Sequence, residues 1–366
     1  MKEQKKQYGM SREDGKKVLL SATMLVVLVV ICLVLGIIGH SEKPENEKEV
    51  LGTVDEDNTV LQETKNEVND IKSQTAQTAT MEENKSETEL GTNYIYERVT
   101  WDEKEVAVLG ELDGDEEVLA QLNKQLKNYS GEISLKAVTI DGTKGLSYRS
   151  GGEYFMASAV KAPYLLYAYM QMEEGNGTPD EEMKYTGNFY HTGTGVMQYY
   201  PVGTKFTLET IMWNTMRESD NVGYDMCVER WGKEGYNELM SQLGCESFVM
   251  DEWSSWIHKG RADDLLIIWN KIYEFMNQGG ECSRLLYDSC TYYDGDKDYN
   301  FMKNALPGVT VSQKYGWSDD GYGDGAVVYG DNQIYLIVVF MDSEGNGYDQ
   351  QVFTNVVRLV DKLIDK

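Results

Sequence analysis

The stretch FMASAVKAPYLL, residues 155–166, sets Ser158 three residues before Lys161 at the mouth of an apolar helix. Positions i and i+3 share a helix face, so the lysine amine can reach the serine hydroxyl. Pro163 is tolerated only near a helix start, which leaves Ser158 at the helix's positive end. A neutral lysine there would turn the serine into a nucleophile, and the serine's own N–H could bind an oxyanion. The plainer alternative is a capping serine beside a surface lysine. Two further groups follow in order: Ser219-Asp220-Asn221, 61 residues on, and Lys314-Tyr315-Gly316, another 95 residues on and next to apolar strand patterns.

This ordered set resembles the S-x-x-K, S-D-N and K-T-G motifs of class A β-lactamases and penicillin-binding proteins. The resemblance spans roughly residues 105–366 and includes YYPVG before the S-D-N segment. It implies that Ser158 is acylated, that Lys161 takes its proton, and that Ser219 relays a proton to the leaving nitrogen. Asn221 would hold the substrate amide and Lys161, and Lys314 would attract the substrate carboxylate. The N–H groups of Ser158 and Trp317 would form the oxyanion hole, with Tyr315 and Gly316, between Lys314 and Trp317, also lining the substrate-binding site. Asp220, in the middle of its motif, is expected to be structural.

Two departures bear on what carries over. Tyr315 replaces the family's small hydroxyl residue, so a phenol stands where the substrate carboxylate would be helped. Where class A enzymes hold a Glu and an Asn for the deacylating water, this chain reads VMDEWSSWIHKGRADDL, with Asp251 and Glu252 but no Glu-x-x-x-Asn pattern. Glu252 is the possible general base; a solvated loop acid is the alternative. Tyr190, His191 and Tyr199 of FYHTGTGVMQYY are expected at the cleft rim, with Tyr199 the choice for stacking on substrate.

These residues need a frame. Asp115–Tyr129 carries Leu119, Leu122 and Leu126 at helical spacing behind acidic residues. EISLKAVTID, a Gly142–Gly145 turn and LSYRSGGEYFMA read as a hairpin leading into the Ser158 helix. A helical stretch begins near Thr207, another is GRADDLLIIWNKIYEFM, and GVTVSQKYGW, GAVVYG and QIYLIVVFMD read as two or three strands with a turn at Gly330-Asp331-Asn332. DQQVFTNVVRLVDKLIDK closes the chain as a helix. The order suggests a mostly antiparallel sheet built from both ends of the domain, with an inserted helical half and a cleft between sheet and helices. The resemblance implies that this is the α+β fold of three layers, sheet flanked by helices, of β-lactamase/transpeptidase type.

Ahead of that domain, Val18–Gly39 runs 22 residues without a charge, long enough to cross a bilayer. The preceding 17 residues carry +3, so the expected arrangement is a cytoplasmic tail (1–17), a single-pass anchor in the cell membrane (18–39) and an extracellular domain. Residues 40–95 read as a disordered or weakly coiled-coil stalk: Val54, Leu61 and Val68 keep a heptad, but Asp57 and Thr64 break its second seam. From the total of −27, +3 on the tail and −9 on residues 41–95 leave −21 on residues 96–366. That charge repels phosphate backbones, so nucleic acid is not an expected partner.

Cys227, Cys245, Cys282 and Cys290 allow three pairings or free thiols. With no Cys-x-x-Cys and only three histidines, neither a metal nor another cofactor is expected. The expected function is a serine hydrolase working through an acyl-serine on β-lactams or D-alanyl peptides of the cell wall. A D,D-carboxypeptidase and a non-catalytic penicillin-binding sensor are the alternatives.

Overall fold

The hairpin that leads into Ser158 is the start of a larger sheet. Strands β1 (Ala107–Leu109), β2 (Ile133–Thr139) and β3 (Gly145–Tyr148) join β8 (Thr291–Tyr292), β9 (Thr310–Ser318), β10 (Gly321–Tyr329) and β11 (Ile334–Asp342) in the order β1-β3-β2-β11-β10-β9-β8, every pairing antiparallel. The computed structural model describes residues 92–98, 103–111, 115–294, 301–342 and 347–366, all within the unit Glu87–Lys366. Beyond the sheet, β4 (Glu153–Phe155) pairs with β7 (Lys259–Arg261), and β5 (Glu182–Lys184) with β6 (Lys205–Thr207).

Successive side chains of a strand face opposite ways, and here both faces are covered, so the central β11, IYLIVVFMD, is apolar along nearly its whole length, while β2 and β10 bury Lys136 and Asp324 among their apolar residues. Leu336, Val338 and Phe340 of β11 enter one core, while Tyr335, Ile337, Val339 and Met341 enter the other. The second core is closed by the terminal helices α1 (Glu116–Asn128) and, at the other end of the chain, Gly347–Ile364. Asp115 caps α1 by accepting from the Val118 N–H, and Leu122 and Leu126 are its buried stripe.

The first core holds the helical half. Helix α2 (Lys161–Glu173) is buried along almost its whole length and runs at the centre of this half. Around it lie α3 (Leu208–Arg217), α4 (Asn221–Trp231), α5 (Glu234–Gln242), α6 (Ala262–Met276) and α7 (Glu281–Cys290). The short α8 (Phe301–Ala305) precedes β9, and Gly347–Ile364 is α9.

The helical stretch from Thr207 is two helices, not one. It breaks at Glu218–Asp220, where Ser219 takes a left-handed backbone (φ 55°) and Asp220 caps α4 through its bond from the Gly223 N–H. Asp220 cannot cap a new helix and also continue an old one.

The expected single-pass placement in the cell membrane is corrected. No helix among the described residues is long and apolar enough to cross a membrane, and segment 18–39 lies outside them. The tail and stalk also lie outside the described residues, apart from Thr92–Ile95. Ile95 is buried in the first core, and Lys136 of β2 donates to the carbonyl of Glu97. Cys227, Cys245, Cys282 and Cys290 are all buried free thiols, each pushed up to about 12 by burial.

Candidate active site

Ser158 sits in a 3-10 turn, Ala157–Val160, that leads directly into α2. The turn is entered through Ala157 at φ 44°, a left-handed conformation rare outside glycine. With Ser219, two of the three non-glycine residues of positive φ among the described residues stand beside the candidate chemistry, where strain is commonly stored.

Lys161, the first residue of α2, is fully buried. Its Nζ lies 3.0 Å from Ser158 Oγ, 2.7 Å from Asn221 Oδ1 and 3.3 Å from Ser219 Oγ, and it also donates to the Ser219 carbonyl. Burial, and after it the Lys314 charge, holds this amine well below the usual lysine range, while Asp220 and Asp225 oppose the shift. A neutral amine at 3.0 Å can accept the hydroxyl proton that an acyl transfer must remove.

The second wall comes from the break between α3 and α4. The left-handed turn aims Ser219 Oγ between two lysines, 3.3 Å from Lys161 Nζ and 3.1 Å from Lys314 Nζ. Asp220 turns the other way: besides capping α4, it accepts from the Met197 N–H at 2.7 Å. The segment His191–Gly195 folds over this turn. Thr194 Oγ1 donates to the Ser219 carbonyl, and Asn221 Nδ2 donates to the Thr192 carbonyl at 2.9 Å. Gly193 (φ 118°) and Gly195 (φ 97°) let it approach, since a Cβ on either would run into Asn221 or Asp220.

The third wall is β9. Lys314 is buried and donates 2.9 Å to the Tyr315 carbonyl; burial brings its amine down to about 7, with Asp324 opposing. Asp324 is itself buried and pushed up to about 8. At Gly316 the strand meets the nucleophile turn backbone to backbone: a Cβ there would collide with the Met156 carbonyl and stand 2.6 Å from the Ser158 nitrogen. Trp317, next along, is 57% exposed. Tyr315 turns its ring onto Phe301 of α8, with Lys314 Nζ 4.6 Å from the ring centre.

Thus Ser158, Lys161, Ser219, Asn221, Lys314 and Gly316 come together. Tyr199 does not join them: its ring is 80% exposed. Glu252 is exposed, with its main-chain carbonyl accepting from Lys233 at 3.0 Å. Asp251 closes a tight turn beside it by accepting from the Trp253 and Ser254 N–H groups, which turns the Asp251–Glu252 corner outward. The residue this loop places near Lys161 is Trp256, with its ring centre 5.3 Å from Nζ.

Sequence reading missed Trp256, Thr194 and Asp225, because none stands in a motif. Only the paired glycines of HTGTG hinted at a close backbone approach.

A serine held against a buried lysine whose pKa is lowered, backed by a second serine and a second lysine at one end of an antiparallel sheet, defines an acyl-transfer serine hydrolase of the class A β-lactamase type. The profile of the beta-lactamase enzyme family matches residues 117–363, and the chain belongs to that family. Beta-lactamase VEB-1 of Pseudomonas aeruginosa is 21% identical over 270 residues, covering 65% of this chain and 87% of that protein. The structure of PBP-A superposes with a TM-score of 0.61 at 18% identity over 69% of this chain and 98% of that one. TLA-3 extended-spectrum beta-lactamase does so at 0.59, with 18% identity over 69% and 100%. A mutant of PBP-A held as an acyl-enzyme with penicillin G gives 0.60, with 18% identity over 68% and 96%.

Proposed function

We propose that the protein opens β-lactams of the penicillin type by forming an ester at Ser158 and releases that ester slowly. The observation that carries this is the fully buried Lys161 amine at 3.0 Å from Ser158 Oγ. Lys161 takes the hydroxyl proton as Oγ bonds to the lactam carbonyl carbon. Ser219, bonded to both lysines, passes a proton to the departing nitrogen. Asn221 fixes Lys161 through Oδ1 and offers its amide to the substrate side chain. Lys314 attracts the substrate carboxylate, and the Ser158 and Trp317 N–H groups receive the oxyanion.

Tyr315, with its ring drawn back onto Phe301, borders the carboxylate position, and the exposed Tyr199 is left to stack on a bound ligand at the rim. Penicillin as the ligand is supported by the family and by the PBP-A acyl-enzyme.

Slow release is supported by the loop around residues 251–258, which turns Glu252 to solvent and sets an indole near Lys161. The same loop favours a second reading, a D-alanyl peptide of the cell wall as the natural acyl donor, because such a site need not be built for rapid lactam turnover.

Labelling with a fluorescent penicillin tests the roles. The wild type should form one covalent band; Ser158→Ala should form none. Lys161→Ala should label about two to four decades more slowly, the usual worth of a general base, with a nearly unchanged melting temperature. Labelling retained in either variant, or gross unfolding of Lys161→Ala, would assign these residues to structure.

A further inference from the structure

The indole near Lys161 is held from three sides. Trp256 Nε1 donates to Asp225 Oδ1 at 3.0 Å, and the other oxygen of that carboxylate lies 2.7 Å from His191 Nδ1. The His191 ring meets the indole edge-on at 5.1 Å, and the buried Tyr224 packs on it at 4.6 Å. Tyr224 also donates to the Ser255 carbonyl at 2.7 Å, and the Trp256 N–H donates to Ser254 Oγ at 2.9 Å. A solvent-facing loop has no need of such a clamp. Asp225 stands one turn after Asn221 on α4, and His191 begins the segment that folds over Ser219 and Asn221. The clamp and the acylation site therefore share the same two elements.

We propose that Trp256 is a positioning residue of the deacylation step: clamped by Asp225 and His191, its ring keeps water from the acyl-serine and so sets the lifetime of the acyl-enzyme. This rests on the reading of Ser158 and Lys161 given above. In deacylation a water oxygen bonds to the acyl carbon and the ester C–Oγ bond breaks. One water proton passes to Lys161 and on to Ser158 Oγ, and the product departs as an acid that loses its remaining proton to solvent. Lys161 Nζ lies 3.0 Å from Ser158 Oγ and 5.3 Å from the indole centre, so the ring occupies space beside the amine to which a deacylating water would have to deliver its proton. Aromatic surface supplies neither a hydrogen-bond acceptor to orient that water nor a base to deprotonate it.

The test follows adduct decay in the full-length protein after acylation with penicillin G and removal of free drug. Wild type, Trp256→Ala, Trp256→Phe and Asp225→Ala are compared. Trp256→Ala should shorten the adduct lifetime by about tenfold or more, a part of the two to four decades that an ordered water and a base can supply. Trp256→Phe should stay within about threefold of wild type, since the phenyl ring keeps the apolar cover, and Asp225→Ala should fall between the two.

A lifetime unchanged in Trp256→Ala, with only its melting temperature lowered, would overturn the shield. If that variant does not fold, an unchanged lifetime in Asp225→Ala would overturn it equally. An absent adduct in wild type would instead overturn the acyl-serine reading, and the shield with it, so the two failures are distinguishable.

Discussion

At the scale of single residues, the proposed mechanism gives opposite duties to two lysines that share one buried site. Lys161 works as a base only when neutral, whereas Lys314 attracts a carboxylate only when charged. Burial lowers both, and Lys161 is lowered further by the Lys314 charge, while Asp324 supports the proton on Lys314. As pH rises through the Lys161 pKa the site gains its base; as pH rises through that of Lys314, at about 7, it loses its anion attractor. The second-order acylation rate, which reports the free enzyme, should therefore be bell-shaped for a penicillin, with its alkaline limb near pH 7. Esterifying the penicillin's carboxylate should remove most of the alkaline limb and leave the acidic one. An alkaline limb kept in full by the ester would show that Lys314 does not act through that carboxylate.

At the scale of elements, the site depends on three pieces of backbone brought unusually close: the turn carrying Ser158, the break between α3 and α4, and β9. Gly316 is the tightest point, because its missing side chain is what lets β9 touch the Ser158 turn. Gly316→Ala must push strand and turn apart. Overpacking of this kind typically costs about 1–3 kcal/mol of stability. A displacement near 1 Å of the oxyanion donors should cost roughly a hundredfold in acylation. Urea unfolding and labelling rate, measured on the same preparation, check both. An acylation rate within threefold of wild type would mean that the Trp317 N–H does not serve as an oxyanion donor.

The same scale shows what sequence can and cannot convey. The three motifs, the β2–β3 hairpin, the β10–β11 turn and both terminal helices were legible, because each follows from local spacing or from alternation. The break at Ser219 was not: Arg217 to Asn221 carries no proline or glycine, and the stop comes from Asp220 capping the next helix. That Tyr315, the phenol in place of a small hydroxyl, packs its ring on Phe301 was not legible either. The neighbours that decide that lie 14 residues upstream, on α8.

At the scale of the whole molecule, the sheet separates two cores and places the chemistry at the end of β9, where helical half, sheet and nucleophile turn converge. The layer order was readable from the sequence of elements, since both chain ends contribute strands and helices to one side. The clamp on Trp256 was not, because it joins residues 191, 225 and 256 through tertiary contacts alone.

The central claim is that this protein acylates at Ser158 readily and deacylates slowly. Intact mass after rapid mixing with penicillin G, followed from milliseconds to hours, tests it most directly. The expected course is a burst that adds the full mass of one penicillin to each protein, at Ser158 by peptide mapping, with slow loss afterwards. Glu252→Gln should change that loss by less than about tenfold. Rapid steady-state hydrolysis with no accumulating adduct, abolished in Glu252→Gln, would contradict it and make the loop acid the working base.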